Sequence, residues 1–257
     1  MTNKQLKIAI VGLFTLALIF AVMPFARAGL SVANKTSTLS VRVANKMPKQ
    51  IKAAENIEPM TLKNLINGRH DAAVGQVFIP SVGIEDNIYA ALTNANLTFG
   101  AVTMFPERTP NDHNLVLLGH HLGYESLHFG KLSTIKPGAK VYVNYLNQYY
   151  KYQVTVKKLI KETDINQVKD TTTSMLSLVT CDRGTKTDKR ILVQAELLSA
   201  TKTKGAEFAK ITAATDRKNR MNINHDLWRV VWRPVLILVG VYLLLVISAL
   251  LIIKRVN

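Results

Sequence analysis

Two long runs of uncharged apolar residues, one near each end of the chain, most constrain how it can fold. Ile8 to Phe25 carries no charge, and Pro234 to Ile253 is a second such run, rich in Val, Leu and Ile. About 20 apolar residues suffice for a helix to cross a bilayer, and a soluble helix is rarely apolar on every face over that length. The second run therefore predicts a transmembrane helix over residues 234–253, with Trp228 and Trp232 at the membrane interface.

The first run permits two interpretations. Lys4 and Lys7 precede it, as in the basic leader of a signal peptide, and Ala26-Arg27-Ala28 resembles a cleavage site. The run is also long for a signal-peptide core, which favours a retained anchor. Residues 1–28 are thus interpreted as a membrane anchor or a signal peptide. Both interpretations place the domain between the two runs outside the cytoplasm.

The chain is strongly basic between its apolar runs. Lys and Arg number 33 against 17 Asp and Glu, a formal net charge of +16. We interpret residues 29–73 as a basic extracytoplasmic stalk and residues 201–233 as a basic juxtamembrane segment. Such charge suits solvated segments, and it also suits binding to anionic lipid headgroups or wall polymers. Nucleic acid is not an expected partner, because an extracytoplasmic chain seldom meets it.

The residues between these segments predict a β-rich domain over residues 74–200. Short apolar runs are separated by turn residues, and Tyr150, Tyr152, Val154 and Val156 alternate with polar residues at a period of two. Helical signals are sparse, and strands do not alternate regularly with helices. We therefore expect a mainly β fold, in which seven or eight antiparallel strands close into a barrel with short helices, flanked by membrane segments.

The single cysteine, Cys181, ends a strand-like run that begins at Met175. A lone thiol has no intrachain disulfide partner, so it is a buried filler, an intermolecular link or a nucleophile. A second strand-like run, Asn114 to Leu118, leads into Gly119-His120-His121, and Arg190 begins the strand after Cys181. Antiparallel pairing can bring Arg190 back beside Cys181. Thiol, imidazole and guanidinium together supply a nucleophile, a proton carrier and an oxyanion stabiliser.

Several motifs, in this order along the chain, resemble those of sortases, the cysteine transpeptidases that attach proteins to the Gram-positive cell wall. Gly119-His120 resembles their Gly-His motif, Val179-Thr180-Cys181 the end of their cysteine strand, and Lys189 to Val193 their arginine strand. Gly75 to Ser81 and Leu97 to Met104 resemble the class A sequence that precedes the histidine.

The resemblance spans about residues 74–198 and implies a reaction. Cys181 is the implied nucleophile, His120 the general acid/base, and Arg190 the stabiliser of the substrate and the oxyanion. The implied substrates are surface proteins with a Leu-Pro-x-Thr-Gly (LPxTG) sorting signal, cleaved between Thr and Gly. The thioacyl-enzyme then passes the protein to the amine of a lipid II-like peptidoglycan precursor, at the cell membrane and without a cofactor or metal. Residues 161–174 match in position the loop with which sortases grip Leu-Pro.

His121 and Arg183 are the rival residues for two of these roles. Streptococcal class A relatives also carry a His pair, with the first member catalytic, which favours His120. Arg183 lies in a Gly-containing loop and is expected to face solvent. No metal motif is recognised among the histidines, and the carboxylates near the implied substrate loop are weak evidence for calcium. These residues are His113, His120, His121 and His128, and Glu162, Asp164 and Asp170.

The apolar run at residues 234–253 departs from class A sortases, which typically have one N-terminal membrane helix. A C-terminal helix is more typical of the pilus-building class C, but the Asp-Pro lid motif of that class is missing ahead of the core. Wall attachment is therefore the first prediction and pilin polymerisation the alternative. A non-enzymatic basic wall-binding module and a thiol hydrolase are further alternatives.

Overall fold

The computed structural model describes residues 3–38, 42–124 and 126–255. They belong to two compact units, of which one comprises Met1–Leu30 with His225–Asn257 and the other Ser31–Asn224. The α-helices are α1 (Asn3–Thr38), α2 (Leu62–Asn67), α3 (Asn94–Phe99), α4 (Ala206–Asp226) and α5 (Arg233–Arg255).

The first unit is helical, and both apolar runs of the sequence lie in it. By length and composition, two helical stretches qualify to cross a membrane, Lys4–Ala33 and Ala206–Ile253. Within this unit, the hydroxyl oxygens of Thr15 and Tyr242 lie 3.0 Å apart, within hydrogen-bond distance. The helix predicted over residues 234–253 is confirmed as a helix, and its place in a membrane stays a prediction.

The second unit contains a closed barrel of eight strands in the order β1-β2-β3-β4-β7-β8-β6-β5, with β5 paired back to β1. This confirms the predicted closed β-barrel. The strands are β1 (Ala73–Ile79), β2 (Ile84–Tyr89), β3 (Ala101–Thr103), β4 (Asn114–Leu118), β5 (Lys140–Tyr145), β6 (Gln148–Lys161), β7 (Met175–Cys181) and β8 (Lys189–Thr201).

Two of the strand pairings are parallel, where antiparallel pairing was expected throughout. These are β2 with β3 and β4 with β7. Parallel neighbours need a long crossover connection. Residues 90–100, which include α3, link the first pair, and residues 119–174 link the second. The correction matters for function, because parallel strands end at the same edge of a sheet.

The barrel interior holds the main core, and the strands supply it by alternation. In β6, Tyr150, Tyr152 and Val154 are buried as predicted, but Val156 is 39% exposed. The pairing of β6 with β8 shifts register between Val154 and Val156, as at a β-bulge. An extra residue in one strand reverses the faces of the residues that follow it. The predicted period of two therefore ends at Val154.

Both flanking segments of the second unit are attached to the barrel. Residues 42–61 form no regular element, yet the Ala44 amide donates to the Ala73 carbonyl and the Glu55 amide to the Leu92 carbonyl. On the other side, Phe208 of α4 is buried against a cluster of aromatic rings on β1, β5 and β6. Those rings are Phe78, Tyr142 and Tyr149.

Candidate active site

The parallel pairing of β4 with β7 brings the predicted histidine to the same edge as the predicted cysteine. Leu118 lies opposite Val179 in this pair, and the Gly119 amide donates to the Val179 carbonyl at 3.1 Å. His120 follows Leu118 by two residues, and Cys181 follows Val179 by two residues. The two side chains therefore leave adjacent strands at the same end of the barrel.

The antiparallel pairing of β7 with β8 places the predicted arginine opposite the cysteine. Cys181 and Arg190 are direct partners in this register. Side chains of directly opposed residues lie on the same face of a sheet. The expectation that pairing returns Arg190 to the side of Cys181 is thus confirmed as geometry.

The loop after β7 contacts the loop after β4. A Cβ atom added to Gly184 would lie 2.4 Å from the Gly123 nitrogen and 2.9 Å from the Leu122 carbonyl carbon. Only a glycine allows the two backbones to approach so closely. This contact fixes the distance between the segment that follows Cys181 and the segment that follows His120.

Both the sequence and the fold of this chain are similar to those of known proteins. A family model described as "Sortase domain" matches residues 77–198. Sortase A of Listeria monocytogenes is 36% identical over 136 residues, 53% of this chain and 61% of that enzyme. The crystal structure of Listeria monocytogenes sortase A superposes with a TM-score of 0.51, covering 54% of this chain and 94% of the solved one. The chain belongs to the sortase family.

A second sequence match and a second structural match add to this comparison. YwpE of Bacillus subtilis is 39% identical over 87 residues, 34% of this sortase and 85% of YwpE. Sortase C-3 of Streptococcus pneumoniae superposes with a TM-score of 0.51 over 77% of this sortase and 98% of the solved chain. At 19% identity, that second likeness shows the fold alone. The aligned region of the Listeria enzyme is less than two thirds of its length.

The thiol of Cys181 in this sortase is half-buried. Burial is the largest cause that raises the pKa of Cys181, Arg190 opposes it, and the charges of Asp182 and Glu162 add to the rise. Desolvation disfavours the charged form of an acid, whereas a nearby cation favours it. In the free enzyme, burial outweighs Arg190.

The imidazole of His120 is partly buried, and its proton affinity is low. The pKa of His120 is lowered to about 4. Burial is the largest cause, the charge of His128 adds to the lowering, and the charge of Asp86 opposes both. Cys181 and His120 are therefore both neutral at pH 7. His121 has a different environment, because its Nδ1 accepts a hydrogen bond from the Gly123 amide at 3.3 Å. That bond ties His121 to its own loop.

The guanidinium of Arg190 is held by a carboxylate and a backbone carbonyl. Nη2 lies 2.5 Å from Oε2 of Glu162, and Nη1 donates to the Thr187 carbonyl at 2.7 Å. These contacts fix the direction of the fork beside the thiol. Arg183 instead has a side chain that is 59% exposed, 3.4 Å from the Asp182 carboxylate. The prediction that Arg183 faces solvent is confirmed.

The segment between β6 and β7, implied by resemblance to grip the substrate, is anchored through Asp170. Its Oδ1 accepts from the Asn114 amide at 3.0 Å, and its Oδ2 pairs with His113 Nδ1 at 2.7 Å. Arg108 adds a hydrogen bond to the Val168 carbonyl at 3.0 Å. Asp170 thus has a structural partner on the strand that leads to His120.

Two residues that act electrostatically on His120, Asp86 and His128, were given no role in this site from the sequence, where His128 was weighed only as a metal ligand. His128 Nδ1 and Asp86 Oδ2 lie 2.9 Å apart, and both side chains are 2% exposed. The two residues are 42 positions apart, so no local pattern connects them. A carboxylate inside a strand whose six residues are all buried is a signal that only the structure supplies.

Proposed function

We propose that this sortase is a membrane-bound transpeptidase that cleaves LPxTG-type sorting signals between Thr and Gly. The acyl group passes through a thioester on Cys181 to the amine of a lipid II-like cell-wall precursor. One observation carries the proposal: Cys181 and Arg190 are register partners, and His120 follows by two residues the strand that pairs in parallel with the cysteine strand. Nucleophile, proton carrier and oxyanion stabiliser are thereby collected at one edge of the barrel.

In the acylation step, the proton of the Cys181 thiol moves to His120 as sulfur attacks the Thr carbonyl carbon. The tetrahedral oxyanion that forms is stabilised by the guanidinium of Arg190, which is always charged and fixed in direction. The C–N bond then breaks, and His120 gives its proton to the departing Gly amine. A thioester and a free amine are the products.

The acceptor amine reverses these events. It attacks the thioester carbon and loses a proton to His120, and the new amide forms as the Cys181 sulfur departs. The proton on His120 then returns to the sulfur, which restores the neutral pair. The reaction needs neither an external oxidant nor a cofactor, since one amide bond is exchanged for another.

The proposed location follows from the two apolar helical stretches and the basic segments beside them. Residues 74–200 form the proposed catalytic domain outside the cytoplasm, between residues 29–73 and residues 201–233. Residues 234–253 are the proposed C-terminal membrane helix, and residues 1–28 the N-terminal anchor or signal peptide. A domain held at the membrane surface has access to a lipid-linked acceptor.

The test uses the full chain in nanodiscs with a Leu-Pro-Glu-Thr-Gly peptide and an amine, followed by mass spectrometry. We expect a product in which the amine is joined to Thr, and a Cys181→Ala variant that forms neither product nor acyl-enzyme. Peptide acceptors with a wall-stem amine or a lysine side chain distinguish wall attachment from pilin polymerisation. Release of a free Thr carboxylate without amine incorporation would show a hydrolase. If Cys181 can be alkylated but no acyl-enzyme forms with any peptide from a panel of sorting signals, the result would favour a non-enzymatic binding module.

A further inference from the structure

A buried pair of ionisable side chains, a carboxyl and an imidazole, acts electrostatically on His120, and the proposed chemistry does not use it. Asp86 comes from β2 and His128 from the loop after β4, and their side chains form the 2.9 Å contact described above. Taking two charges out of water is costly, and apolar residues of similar volume are often at least as stabilising. Barrel stability alone is therefore a weak reason for this pair.

The backbone connects His128 directly to the candidate catalytic histidine. The amide of Phe129, the next residue, donates to the His120 carbonyl at 3.1 Å. A Cβ at Gly119 would lie 2.7 Å from the Phe129 ring, so this glycine allows the ring to pack there. His128 itself has φ of 48°, in the left-handed region that residues other than glycine seldom adopt. Such conformations persist where surrounding structure enforces them, frequently at functional sites.

Both members of the pair act electrostatically on His120, with opposite signs. A positive charge on His128 lowers the pKa of His120, and the negative charge of Asp86 raises it. When His120 accepts the thiol proton it becomes a cation in a partly buried position. The negative charge of Asp86 stabilises that cation, whereas a positive charge on His128 destabilises it.

Charged groups of two further elements, α1 and α4, act on Asp86 or on its neighbour Glu85. Lys35 at the end of α1 is 1% exposed, and the charges of Asp86 and Glu85 act on it. Asp216 and Arg220 of α4 act on Glu85, the neighbour of Asp86 on β2. The charge balance around Asp86 and Glu85 therefore includes residues of α1 and α4.

We propose that Asp86 and His128 are positioning residues for His120. The pair holds the turn that follows His120 in place. Its charges also set how readily the His120 imidazole gains and loses a proton. This proposal deepens the function proposed above and rests on it. It predicts that the two residues have opposite effects on one measurable property of His120, whereas a purely structural pair would not.

The test compares Asp86→Asn with His128→Asn in the full chain, in nanodiscs. Asparagine at 86 keeps the shape of the carboxylate without its charge. Asparagine at 128 keeps a donor for Asp86 and is among the residues that best tolerate a left-handed backbone. Removing a charge that acts on a titrating group moves its titration midpoint, by roughly one unit for a close charge. We expect the His120 midpoint to fall in Asp86→Asn and to rise in His128→Asn.

The midpoint is read by NMR of histidine labelled with ¹³C at Cε1, with the His120 signal assigned from a His120→Gln variant. The pH dependence of kcat/KM for peptide transfer is measured on the same samples. Asp86→Asn should lower kcat by roughly tenfold, since one pKa unit corresponds to a tenfold change in the protonated fraction. His70→Asn is the matched control, because that ring hydrogen-bonds to the Asp71 backbone carbonyl rather than to a carboxylate. It should leave the midpoint unchanged.

Midpoints that stay fixed, or that move in the same direction in both variants, would overturn the proposal even if melting temperatures fell. Should one single variant fail to fold, the double variant Asp86→Asn/His128→Asn keeps the test decisive. It retains a hydrogen-bonded pair without charge and should return the midpoint towards the wild-type value. If wild-type protein formed no acyl-enzyme, the proposed function would fail, while the NMR midpoints would still decide whether the pair controls His120.

Discussion

Replacing Glu85 with Gln is expected to stabilise the barrel above pH 7 and to leave its stability nearly unchanged below pH 4.5. Glu85 lies on β2 and is 7% exposed, and its Oε2 atom has no hydrogen-bond partner within the described part of the chain. Burial is the first cause that raises the pKa of Glu85 from 4.5 to about 7, and the charge of Asp216 is the second. Lys35 and Arg220 oppose the rise.

The sign of the effect follows from which state binds the proton more tightly. The folded protein holds the Glu85 proton up to about pH 7, whereas the unfolded chain releases it near pH 4.5. The stabilising contribution of this carboxyl is therefore complete below pH 4.5 and is lost as the pH rises through 7. One pKa unit corresponds to about 1.4 kcal/mol, so the loss amounts to about 3 kcal/mol. Gln resembles the protonated carboxyl in shape and does not ionise, so it avoids this loss.

Thermal unfolding of the full chain in detergent, followed by near-UV circular dichroism between pH 4.5 and 8.5, measures the difference. A gain of about 3 kcal/mol corresponds to a rise in Tm of roughly 5–10 °C at pH 8 for a domain of this size. Glu196→Gln is the matched control, because Glu196 is exposed on β8. A difference between Glu85→Gln and wild type that does not change with pH would refute the reasoning. Lower stability of the variant at pH 8 would mean that Lys35 and Arg220 stabilise the carboxylate.

Two further substitutions test how the site is held together. Arg190→Lys keeps a positive charge but loses the planar fork that contacts Glu162 and the Thr187 carbonyl. We expect kcat/KM for peptide cleavage to fall roughly 100-fold with little change in Tm. An unaltered rate would show that Arg190 takes no part in the reaction. Gly184→Ala puts a methyl group 2.4 Å from the Gly123 nitrogen. It should therefore separate the loop after β7 from the loop after β4 and lower kcat at least tenfold. Gly205→Ala, where a Cβ meets no atom within 4 Å, should match wild type in the same rate assay.

The barrel and the Cys181–Arg190 register could be predicted because both depend on local sequence. Alternating apolar residues identify strands, and the short connection between β7 and β8 leaves antiparallel pairing as the simple solution. The parallel pairing of β4 with β7 could not be predicted in the same way. It joins strands that are separated by residues 119–174, and no local pattern reports such a contact. The resemblance implied that His120 and Cys181 act together, and the parallel pairing of β4 with β7 is what brings the two strand ends to one edge.

The exposure of Val156 and the burial of Glu85 illustrate two limits of sequence patterns. Val156 continues the apolar alternation of β6, but the register shift after Val154 turns it outward. Glu85 and Asp86 are charged residues of the kind usually found at solvent-exposed positions of a strand. They are buried because the whole of β2 is covered, with Lys218 of α4 donating to the Pro80 and Ser81 carbonyls just before it. Both outcomes depend on what packs against a strand, which its own sequence does not specify.

The charges around the candidate site are compatible with the proposed acyl transfer by a pair that is neutral at rest. Burial raises the pKa of the Cys181 thiol and lowers the pKa of the His120 imidazole, so neither is ionised in the free enzyme at pH 7. Moving the thiol proton to His120 creates one anion and one cation without changing the net charge. In the proposed reaction each product has a counter-charge, Arg190 for the sulfur and Asp86 for the imidazolium, in line with the directions in which these charges act on Cys181 and His120. A bound peptide that excludes water strengthens both interactions, because charges attract more strongly at low dielectric. We therefore expect the ion pair to form more readily when a peptide covers the site than in the free enzyme. A lower rate of Cys181 alkylation in the absence of peptide analogues would not contradict this expectation.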